Sequence, residues 1–460
     1  MGKIGKSFSL LLILILAVSS LTVILATIPF GLAQSGTNVN GIITSNTTWI
    51  QANSPYTFTG PVAVNTGVTL TIQAGVTVNI GTNFLQVNGT LVAKGRASEL
   101  ITFKGIMIRC YVETYMSFSQ SSTSWDQGTG TGCIIQNCKI TDVSININDA
   151  SPKIDESQIY SEVNPPANGG NINVNGGNPI ISGNNITVNN AINVAYGNPT
   201  IIYNTIYVSS ASSNAIGIGG GGGSSIICDN NVTGNSYALS GISFYGNAPN
   251  SIVSDNIISN WGDGIEIFQG NSGTLTIQRN LITGCYAGIE TYKAGVIIQN
   301  NTFVNAKNGL APTSLYLHAS PVVIYNNFQS NTGSIWLTSS GNVNAAYNWW
   351  GTTNTQAINQ TVHDSKNDFT VGTVSFVPFL TAPNPEAMPD PNTPIPTPNT
   401  SPSPTATPNS TPTATPITQS TPSPTPAVPE LSWYIVVPLL ISVLSIAVLF
   451  KHRKTANLKQ

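Results

Sequence analysis

Charged side chains are scarce in this chain of 460 residues. Asp, Glu, Lys and Arg make up 7% of it, against about a quarter in ordinary soluble domains. The formal net charge is −2, and the central part of the chain shows no basic patch. A nucleic-acid-binding surface needs clustered Lys and Arg. The composition therefore argues against a nucleic-acid partner.

Cysteine is also rare, and its spacing is not that of a metal site. The five cysteines are Cys110, Cys133, Cys138, Cys228 and Cys285, and only Cys133 and Cys138 are near neighbours. An odd number in an exported chain allows at most two disulfides and one spare thiol. The alternative is that all five are small residues on or near strands.

One short phrase, in contrast, returns many times. It consists of an apolar pair, two or three polar residues, an Asn, any residue and another apolar residue, as in IISGNNI at Ile180–Ile186. The marker Asn recurs at intervals of roughly 23 residues, and a repeat of this length predicts a solenoid. The marker residues are Asn184, Asn204, Asn230, Asn256, Asn280, Asn301, Asn326 and Asn348, preceded by Cys138 and Ser157 in two weaker copies.

The repeat has the pattern of strands rather than helices. Its apolar residues are mostly β-branched and alternate with polar ones. A second alternating run follows each marker, for example Gly241–Phe244, Gly264–Ile267 and Gly288–Thr291. Such short strands form no stable sheet alone, but coiled rungs that pair with their neighbours bury one continuous core. We therefore predict an all-β parallel β-helix.

The recurring Asn has two interpretations. At a sharp turn, Asn tolerates left-handed backbone angles and bonds to nearby backbone. Stacked at one place per rung, about 4.8 Å apart, the side-chain amides could also bond to one another along the solenoid. The first interpretation makes the markers polar turn residues, and the second makes them an internal hydrogen-bonded ladder.

The phrase resembles the repeat of right-handed parallel β-helix proteins of the pectate-lyase-like superfamily, over roughly residues 60–380. The run VAVNTGVTLTIQAGVTVNI, which begins at Val62, resembles the start of such domains, and NWWGTTN at Asn348–Asn354 resembles their closing segment. The resemblance implies the right-handed fold. It implies no single activity, because the superfamily includes lyases, hydrolases, epimerases, adhesins and proteins without a known reaction.

The solenoid has flanking regions of different composition. Residues 1–33 read as a signal peptide, with Lys3 and Lys6 before an apolar run and a small-residue cleavage site at residues 31–33. In the closing segment, Trp349 and Trp350 are expected to cover the last rung. The regions are a signal at 1–33, a polar lead-in at 34–59, N-terminal rungs and cap at 60–135 with a side loop or binding flap at 107–132, repeats at 136–350, a C-terminal cap at 351–381, a Pro/Thr/Ser-rich stalk at 382–430, a transmembrane helix at 431–450 and a tail at 451–460.

The C-terminal end has the features of a membrane anchor. Leu431–Phe450 is apolar, uncharged and long enough to cross a bilayer. Basic residues follow in the tail, which places the C-terminus inside the cell. The preceding phrase PELSW resembles the tails of archaeal surface proteins, and cleavage there by a sortase-like enzyme stays an open option. N-glycosylation sequons occur at Asn46, Asn88, Asn185, Asn231, Asn300, Asn359, Asn399 and Asn409.

The candidate catalytic residues come from two equivalent GIE phrases. Glu266 and Glu290 are one repeat apart and should lie side by side on neighbouring rungs, pointing outward. Carboxylates this close raise one another's pKa or bind a cation. With Asp263 and Lys293 they form a candidate site for calcium-assisted lysis or hydrolysis of a polysaccharide. The alternative is a surface pair neutralised by Lys293 or a cation, since the repeat pattern places only Ser243 and Ala311 at this position in the flanking copies.

Aromatic residues suggest a competing, non-catalytic role. Tyr245, Phe268 and Tyr292 follow related phrases in consecutive rungs and could stack on sugar rings, or they could be packing residues. Trp261, Tyr286 and Trp336 are further candidates for exposed aromatics. We therefore predict a membrane-anchored extracellular protein that binds glycans or surfaces. It requires no cofactor, although Ca²⁺ is a candidate ligand, and polysaccharide lysis or glycoside hydrolysis is the alternative function.

A smaller polar group lies in the closing segment. Asp364, Asn367 and Asp368 offer oxygen ligands within a few residues of one another. They could hold a cation. We favour the alternative, a solvated turn.

Overall fold

The computed structural model describes residues 36–390 except 107–113, 163–169, 211–212, 220–222, 236–237, 247, 269–272 and 305–312, together with residues 392 and 394. The predicted signal peptide, membrane span, tail and most of the predicted stalk lie outside these residues, as does Cys110. In the described part of the chain, no helix is long and apolar enough to cross a membrane.

The prediction of a parallel β-helix is confirmed. Every pairing between two strands is parallel, and within a face each inner strand pairs with its equivalents one turn earlier and one turn later. Three faces result, here called I, II and III in the order in which each turn visits them. Face I has one strand in each of 12 turns.

The strands of face I precede the marker Asn of each turn, and those of face II follow it. Face I contains β2 (Thr47–Trp49), β4 (Thr69–Ile72), β7 (Thr90–Lys94), β10 (Ile134–Gln136), β13 (Lys153–Asp155), β16 (Ile180–Ser182), β19 (Thr200–Ile202), β22 (Ile226–Cys228), β25 (Ile252–Ser254), β28 (Leu275–Gln278), β31 (Val296–Gln299) and β34 (Val322–Ile324). Face II contains β5 (Thr77–Gly81), β8 (Ile101–Gly105), β11 (Cys138–Thr141), β14 (Gln158–Tyr160), β17 (Asn185–Thr187), β20 (Thr205–Tyr207), β23 (Asn231–Thr233), β26 (Ile257–Ser259), β29 (Leu281–Thr283), β32 (Thr302–Val304) and β35 (Asn327–Gln329).

Face III completes each turn. It contains β6 (Phe84–Val87), β9 (Tyr115–Phe118), β12 (Ser144–Asn148), β15 (Ile172–Asn175), β18 (Ile192–Tyr196), β21 (Ile216–Ile218), β24 (Ser240–Phe244), β27 (Asp263–Ile267), β30 (Ala287–Thr291), β33 (Thr313–Leu317), β36 (Gly333–Leu337) and β38 (Val362–His363). Two long strands, β1 (Thr37–Ile43) and β3 (Tyr56–Val64), bend from face II into face III and join the two. The remaining elements are the pair β37 (Val343–Asn344) and β39 (Val374–Ser375), the helix α1 (Thr355–Gln360) and a 3₁₀ turn at Gln51–Asn53.

The turn between faces I and II differs from the expectation in the position of its left-handed residue. The left-handed residue is not the marker but the residue immediately before it, in all ten copies. Tyr203, Asp229 and Arg279, for example, have φ angles of 58°, 56° and 52°. The marker itself therefore keeps ordinary backbone angles, and its side chain is free to point inward.

One apolar core runs inside the solenoid from Trp49 to Val374. At the N-terminal end, the rings of Trp49 and Tyr56 stack with centroids 4.7 Å apart. At the C-terminal end, Trp350 is buried and stacks on Phe328 at 4.8 Å, whereas Trp349 is half-buried. The closing aromatics thus cover the last apolar layer mainly through Trp350.

The polar group of the closing segment is engaged with its own backbone. Asp364 accepts hydrogen bonds from the amides of Val374 and Lys366 at 3.0 and 3.1 Å, and from the Lys366 ammonium group at 3.0 Å. Burial alone would raise the pKa of Asp364, but these donors hold that pKa below its ordinary value. Asp368 accepts from the amide of Thr370 at 2.9 Å. These contacts are those of a structured turn.

The beginning of the predicted stalk, residues 382–390, packs against the solenoid. Asn384 exchanges hydrogen bonds with Asn327 at 2.8 and 2.9 Å, and Ala387 is fully buried. The amide of Asp390 donates to Asp255 at 3.3 Å, several turns back from the C-terminal end. This segment is therefore part of the folded domain.

The cysteines in the described residues are buried free thiols. Cys133, Cys138, Cys228 and Cys285 form no disulfide with one another. Desolvation raises the pKa of Cys133 to about 11 and the pKa of Cys285 to about 12. These positions agree with the interpretation of the cysteines as small residues on or near strands.

Candidate functional site

The outward side chains of face III form a straight column along the solenoid. Equivalent positions in successive turns are aligned by the parallel pairing of their strands. From the N-terminal end the column reads Ala63, Gln86, Ser117, Asn146, Asn173, Asn193, Gly217, Ser243, Glu266, Glu290, Tyr316, Trp336 and His363. The chemistry of the column changes from amides to carboxylates to aromatic rings.

The glycine of the GIE phrase is what allows β27 and β30 to lie in this register. A Cβ atom on Gly264 would be 2.5 Å from the carbonyl oxygen of Gly288, which no side chain can tolerate. Ile265 and Ile289 then point into the core, and Glu266 and Glu290 point outward as neighbours. The alternation of the strand thus brings the two glutamates together.

Three carboxyl groups meet at this point, and we call them the acidic cluster. Asp263, at the start of β27, lies beside Glu266 and Glu290, and each residue offers an oxygen within 4.8 Å of the others. All three side chains are half-buried. Oxygen atoms at this spacing can hold a cation, a shared proton or the hydroxyl groups of a ligand.

The surroundings of Asp263 favour its protonated form. Burial raises its pKa to about 8, and the negative charges of Glu290 and Glu266 and a hydrogen bond with Glu290 act in the same direction. Burial also raises the pKa of Glu266, although Ser240 donates to it at 2.6 Å. At neutral pH the acidic cluster therefore contains a protonated Asp263.

Glu290 is held in place by two donors. His318 Nε2 and the Tyr292 hydroxyl both lie 2.9 Å from Glu290 Oε1. The other nitrogen of His318, Nδ1, is 2.7 Å from the hydroxyl of Thr338 on the next turn. Burial and the bond to Glu290 raise the pKa of Tyr292 to about 12, so its hydroxyl stays a donor.

Lys293 does not neutralise the acidic cluster. Its ammonium group donates to the carbonyl oxygen of Gly273 at 2.6 Å, and desolvation lowers its pKa. Among the described residues, the basic side chain that contacts Glu290 is His318 instead, at 2.9 Å. The prediction of Lys293 as partner is wrong because its side chain turns away, along the neighbouring loop.

The predicted aromatic column exists, but its rings face one another. Tyr245, Phe268, Tyr292 and His318 stack in sequence, with centroids 5.2, 5.9 and 3.9 Å apart; we call them the ring column. A sugar between two rings would need about 7 Å, because each contact takes about 3.5 Å. The inner rings thus present their edges rather than their faces.

Other predicted positions differ from expectation. Trp261 is not an exposed aromatic, since only 1% of it is accessible and its indole N–H donates to the carbonyl oxygen of Val232 at 3.2 Å. Trp336 lies in the outward column and stacks on His363 at 4.0 Å. The neighbour of Glu290 on the next turn is Tyr316, not Ala311, which lies outside the described residues.

The marker asparagines lie inside the solenoid, and we call them the Asn column. Each buried amide donates to the side-chain oxygen of the next one, at 2.9 to 3.1 Å, from Asn184 through Asn348. The same amide group also donates to a backbone carbonyl of the preceding turn, as Asn280 does to Val253 at 3.0 Å. The geometry is that of the internal ladder.

Among the comparisons with known proteins, a family model supports the fold. A family model described as "Right handed beta helix region" matches residues 200–350. Two crystal structures of variants of the periplasmic alginate epimerase AlgG are similar at 12% identity, with TM-scores of 0.29 and 0.23. Each comparison covers 70% of this chain and 75% of the epimerase. A search of curated proteins found no match.

The sequence did not reveal several polar residues of this region. Ser240 joins Glu266 to Asn214, whose side-chain oxygen accepts from the Ser240 amide at 3.1 Å. The side-chain amide of Asn214 in turn contacts the Tyr245 hydroxyl. His318 lies on the turn after Glu290, just beyond the end of β33. None of these residues belongs to the repeated phrase, so only an alignment of every outward position could have suggested them.

Proposed function

We propose that face III, from Asn193 to His318, is a glycan-binding surface. The observation that carries this proposal is the acidic cluster, whose oxygens are half-buried, fixed by Ser240, His318 and Tyr292, and directed outward. Fixed acceptor groups next to an exposed aromatic ring suit a ligand with many hydroxyl groups and an apolar ring face. The straight column suits an extended chain of such units.

Glycan-array binding of the full-length protein tests this proposal. We expect binding to at least one oligosaccharide class, and at least tenfold weaker binding by Glu290→Gln, because one fixed acceptor becomes a donor. Glu99→Gln, on an exposed loop away from face III, is the matched control. Absence of binding, or equal binding by both variants, would remove the proposal.

A second candidate function is glycoside hydrolysis, which the pairing of Asp263 with Glu290 favours. Hydrolysis with retention of configuration needs a protonated carboxyl and a carboxylate about 5 to 5.5 Å apart, whereas inversion needs about 6.5 to 9.5 Å. Each carboxyl group of the acidic cluster offers an oxygen within 4.8 Å of the others, which is below the range for inversion. Asp263 would donate the proton and Glu290, oriented by His318, would attack the sugar.

This hydrolysis is tested by product release from the glycans that bind. Asp263→Asn and Glu290→Gln should each abolish release, and NMR of the first product should show retained configuration. Inverted product, or unchanged release by Asp263→Asn, would exclude this assignment of roles. Lysis is distinguished by the unsaturated product that it leaves.

Calcium is the alternative occupant of the acidic cluster. It would take the place of the proton on Asp263, so its affinity should rise as the pH increases towards 9. Calorimetric titration with CaCl₂ at pH 6 and pH 9 measures this, and equal affinity at both pH values would argue against the site.

The membrane anchor and the extracellular location remain proposals based on the sequence, and protease protection of intact cells would test them.

A further inference from the structure

Tyr245 differs from the other members of the ring column. It is the first ring of the stack, so Phe268 covers only one of its faces. It is 47% exposed, whereas Phe268, Tyr292 and His318 are half-buried. A large, exposed apolar ring on a β-helix surface is ordinary by itself, but this ring is also fixed in position.

Three contacts fix the ring. Phe268 backs it, with the two planes 22° apart. Asn214 holds its hydroxyl. Gly217 lies beneath it, and a Cβ atom at that position would be in van der Waals contact with Tyr245 Cε2 at 3.5 Å. An exposed side chain held on three sides loses little entropy when it binds a ligand.

The same contacts connect the ring to the acidic cluster. The Asn214 side chain that holds Tyr245 accepts from the Ser240 amide, and the Ser240 hydroxyl donates to Glu266. Asn214, Ser240 and Asp263 occupy equivalent places at the start of successive strands of face III. The ring and the carboxyl groups are therefore parts of one continuous surface, one to two turns apart.

The negative charge of this surface limits the class of ligand that it can bind. Three carboxyl groups lie together, and on the described part of face III near them the basic side chains are His318, which contacts Glu290, and Lys293, which is directed to Gly273. A ligand carboxylate would meet the negative charge of Glu266, which has no basic partner among the described residues. Hydroxyl groups, in contrast, can donate to the carboxylate oxygens.

We infer that the face of Tyr245 not covered by Phe268 is the seat of a neutral sugar ring, and that a neutral glycan passes from it over the ring edges of Phe268 and Tyr292 to Glu290. This inference rests on the proposed glycan binding and specifies its position and ligand class. The apolar face of a pyranose packs on the aromatic ring, and the next units donate hydroxyl groups to Glu266 and Glu290.

The test uses the full-length protein and calorimetry with cellohexaose, mannohexaose and xylohexaose, and with hexagalacturonate as the anionic probe. We expect binding of a neutral hexasaccharide that weakens at least tenfold in Tyr245→Leu. Tyr245→Phe should retain most of the affinity, because the ring and its backing remain. Tyr207→Leu, a similarly exposed tyrosine on face II, should bind like the wild type.

Each outcome decides a different claim. Equal binding by Tyr245→Leu and wild type, with a loss in Glu290→Gln, overturns the seat at Tyr245 but retains glycan binding on face III. Binding of hexagalacturonate alone overturns the neutral ligand class. Binding of no probe by the wild type overturns this inference, and the glycan array then decides whether the proposed function also fails. Gly217→Leu provides a second variant, because its side chain displaces the ring without altering any residue of the acidic cluster.

Discussion

The Asn column and the acidic cluster place similar polar side chains one above the other in the same solenoid, with opposite consequences. An amide has both a donor and an acceptor, so each buried asparagine satisfies the next one. A carboxylate only accepts, so Glu266 and Glu290 cannot satisfy each other. The outward column shows the same contrast within one face, because Asn173 donates to Asn146 at 2.9 Å a few turns away. Stacked amides satisfy one another's hydrogen-bonding groups, whereas stacked carboxylates require a proton, a cation or a ligand.

The largest expected effect comes from placing a carboxyl group in the buried Asn column. Asn280→Asp makes one position of the Asn column an acceptor only, and buries a charge without a partner. We expect a loss of about 3 to 5 kcal/mol in the free energy of unfolding. Asn280→Ala removes the hydrogen bonds without the charge and should cost roughly 1 to 3 kcal/mol.

Urea denaturation followed by circular dichroism measures both variants, and Asn38→Ala on the exposed first strand is the control. If Asn280→Ala and the similar Asn256→Ala unfold at the urea concentration of the wild type, the column contributes no stability.

An intermediate effect concerns the proton of the acidic cluster. The pKa of Asp263 is raised to about 8 in the folded protein, above its ordinary value near 3.8. The folded state therefore holds a proton that the unfolded state releases, and this contribution to stability is complete below about pH 4. It should be lost progressively as the pH rises from about 4 to about 8, by a few kcal/mol at most. Asp263→Asn should lack this dependence when the two proteins are compared by urea denaturation at pH 5 and pH 9. Parallel pH curves for the two proteins would contradict the raised pKa.

The smallest expected effect comes from replacing one carboxyl group of the acidic cluster with an amide, the group found in the Asn column. Glu266→Gln provides a donor next to Glu290 and removes one of the repelling charges. We expect a gain of about 0.5 to 1 kcal/mol at pH 8. Thermal denaturation at low and high salt measures it, and the gain should shrink as salt screens the charges. A destabilised Glu266→Gln protein would mean that the bond from Ser240 outweighs the repulsion.

The sequence was most informative where one turn repeats the next. The period of the marker Asn predicted the solenoid, and the matching GIE phrases predicted that Glu266 and Glu290 lie side by side. The left-handed residue was misplaced by one position, because Asn is the usual residue for such angles. Here Tyr203, Asp229 and Arg279 adopt them instead, and the marker is used for its inward side chain.

The rest of the candidate site depends on turns of unequal length. The chain segment from Glu290 to its aligned neighbour Tyr316 is longer than the segment from Glu266 to Glu290. Ala311 lies as far from its marker Asn301 as Glu290 lies from Asn280, so counting from the marker chose the wrong neighbour for Glu290. For the same reason, His318 could not be assigned to Glu290 before the strands were paired.

The amino-acid sequence by itself determined the kind of fold and the phase of its turns, because each turn carries its own alternation of apolar and polar residues. Only the tertiary structure decided which outward side chains meet. Those contacts join residues that lie a whole turn or more apart in the chain, such as Lys293 with Gly273, His318 with Glu290 and Asn214 with Tyr245. The backbone hydrogen bonds between turns set that register, and the intervening loops absorb the differences in length.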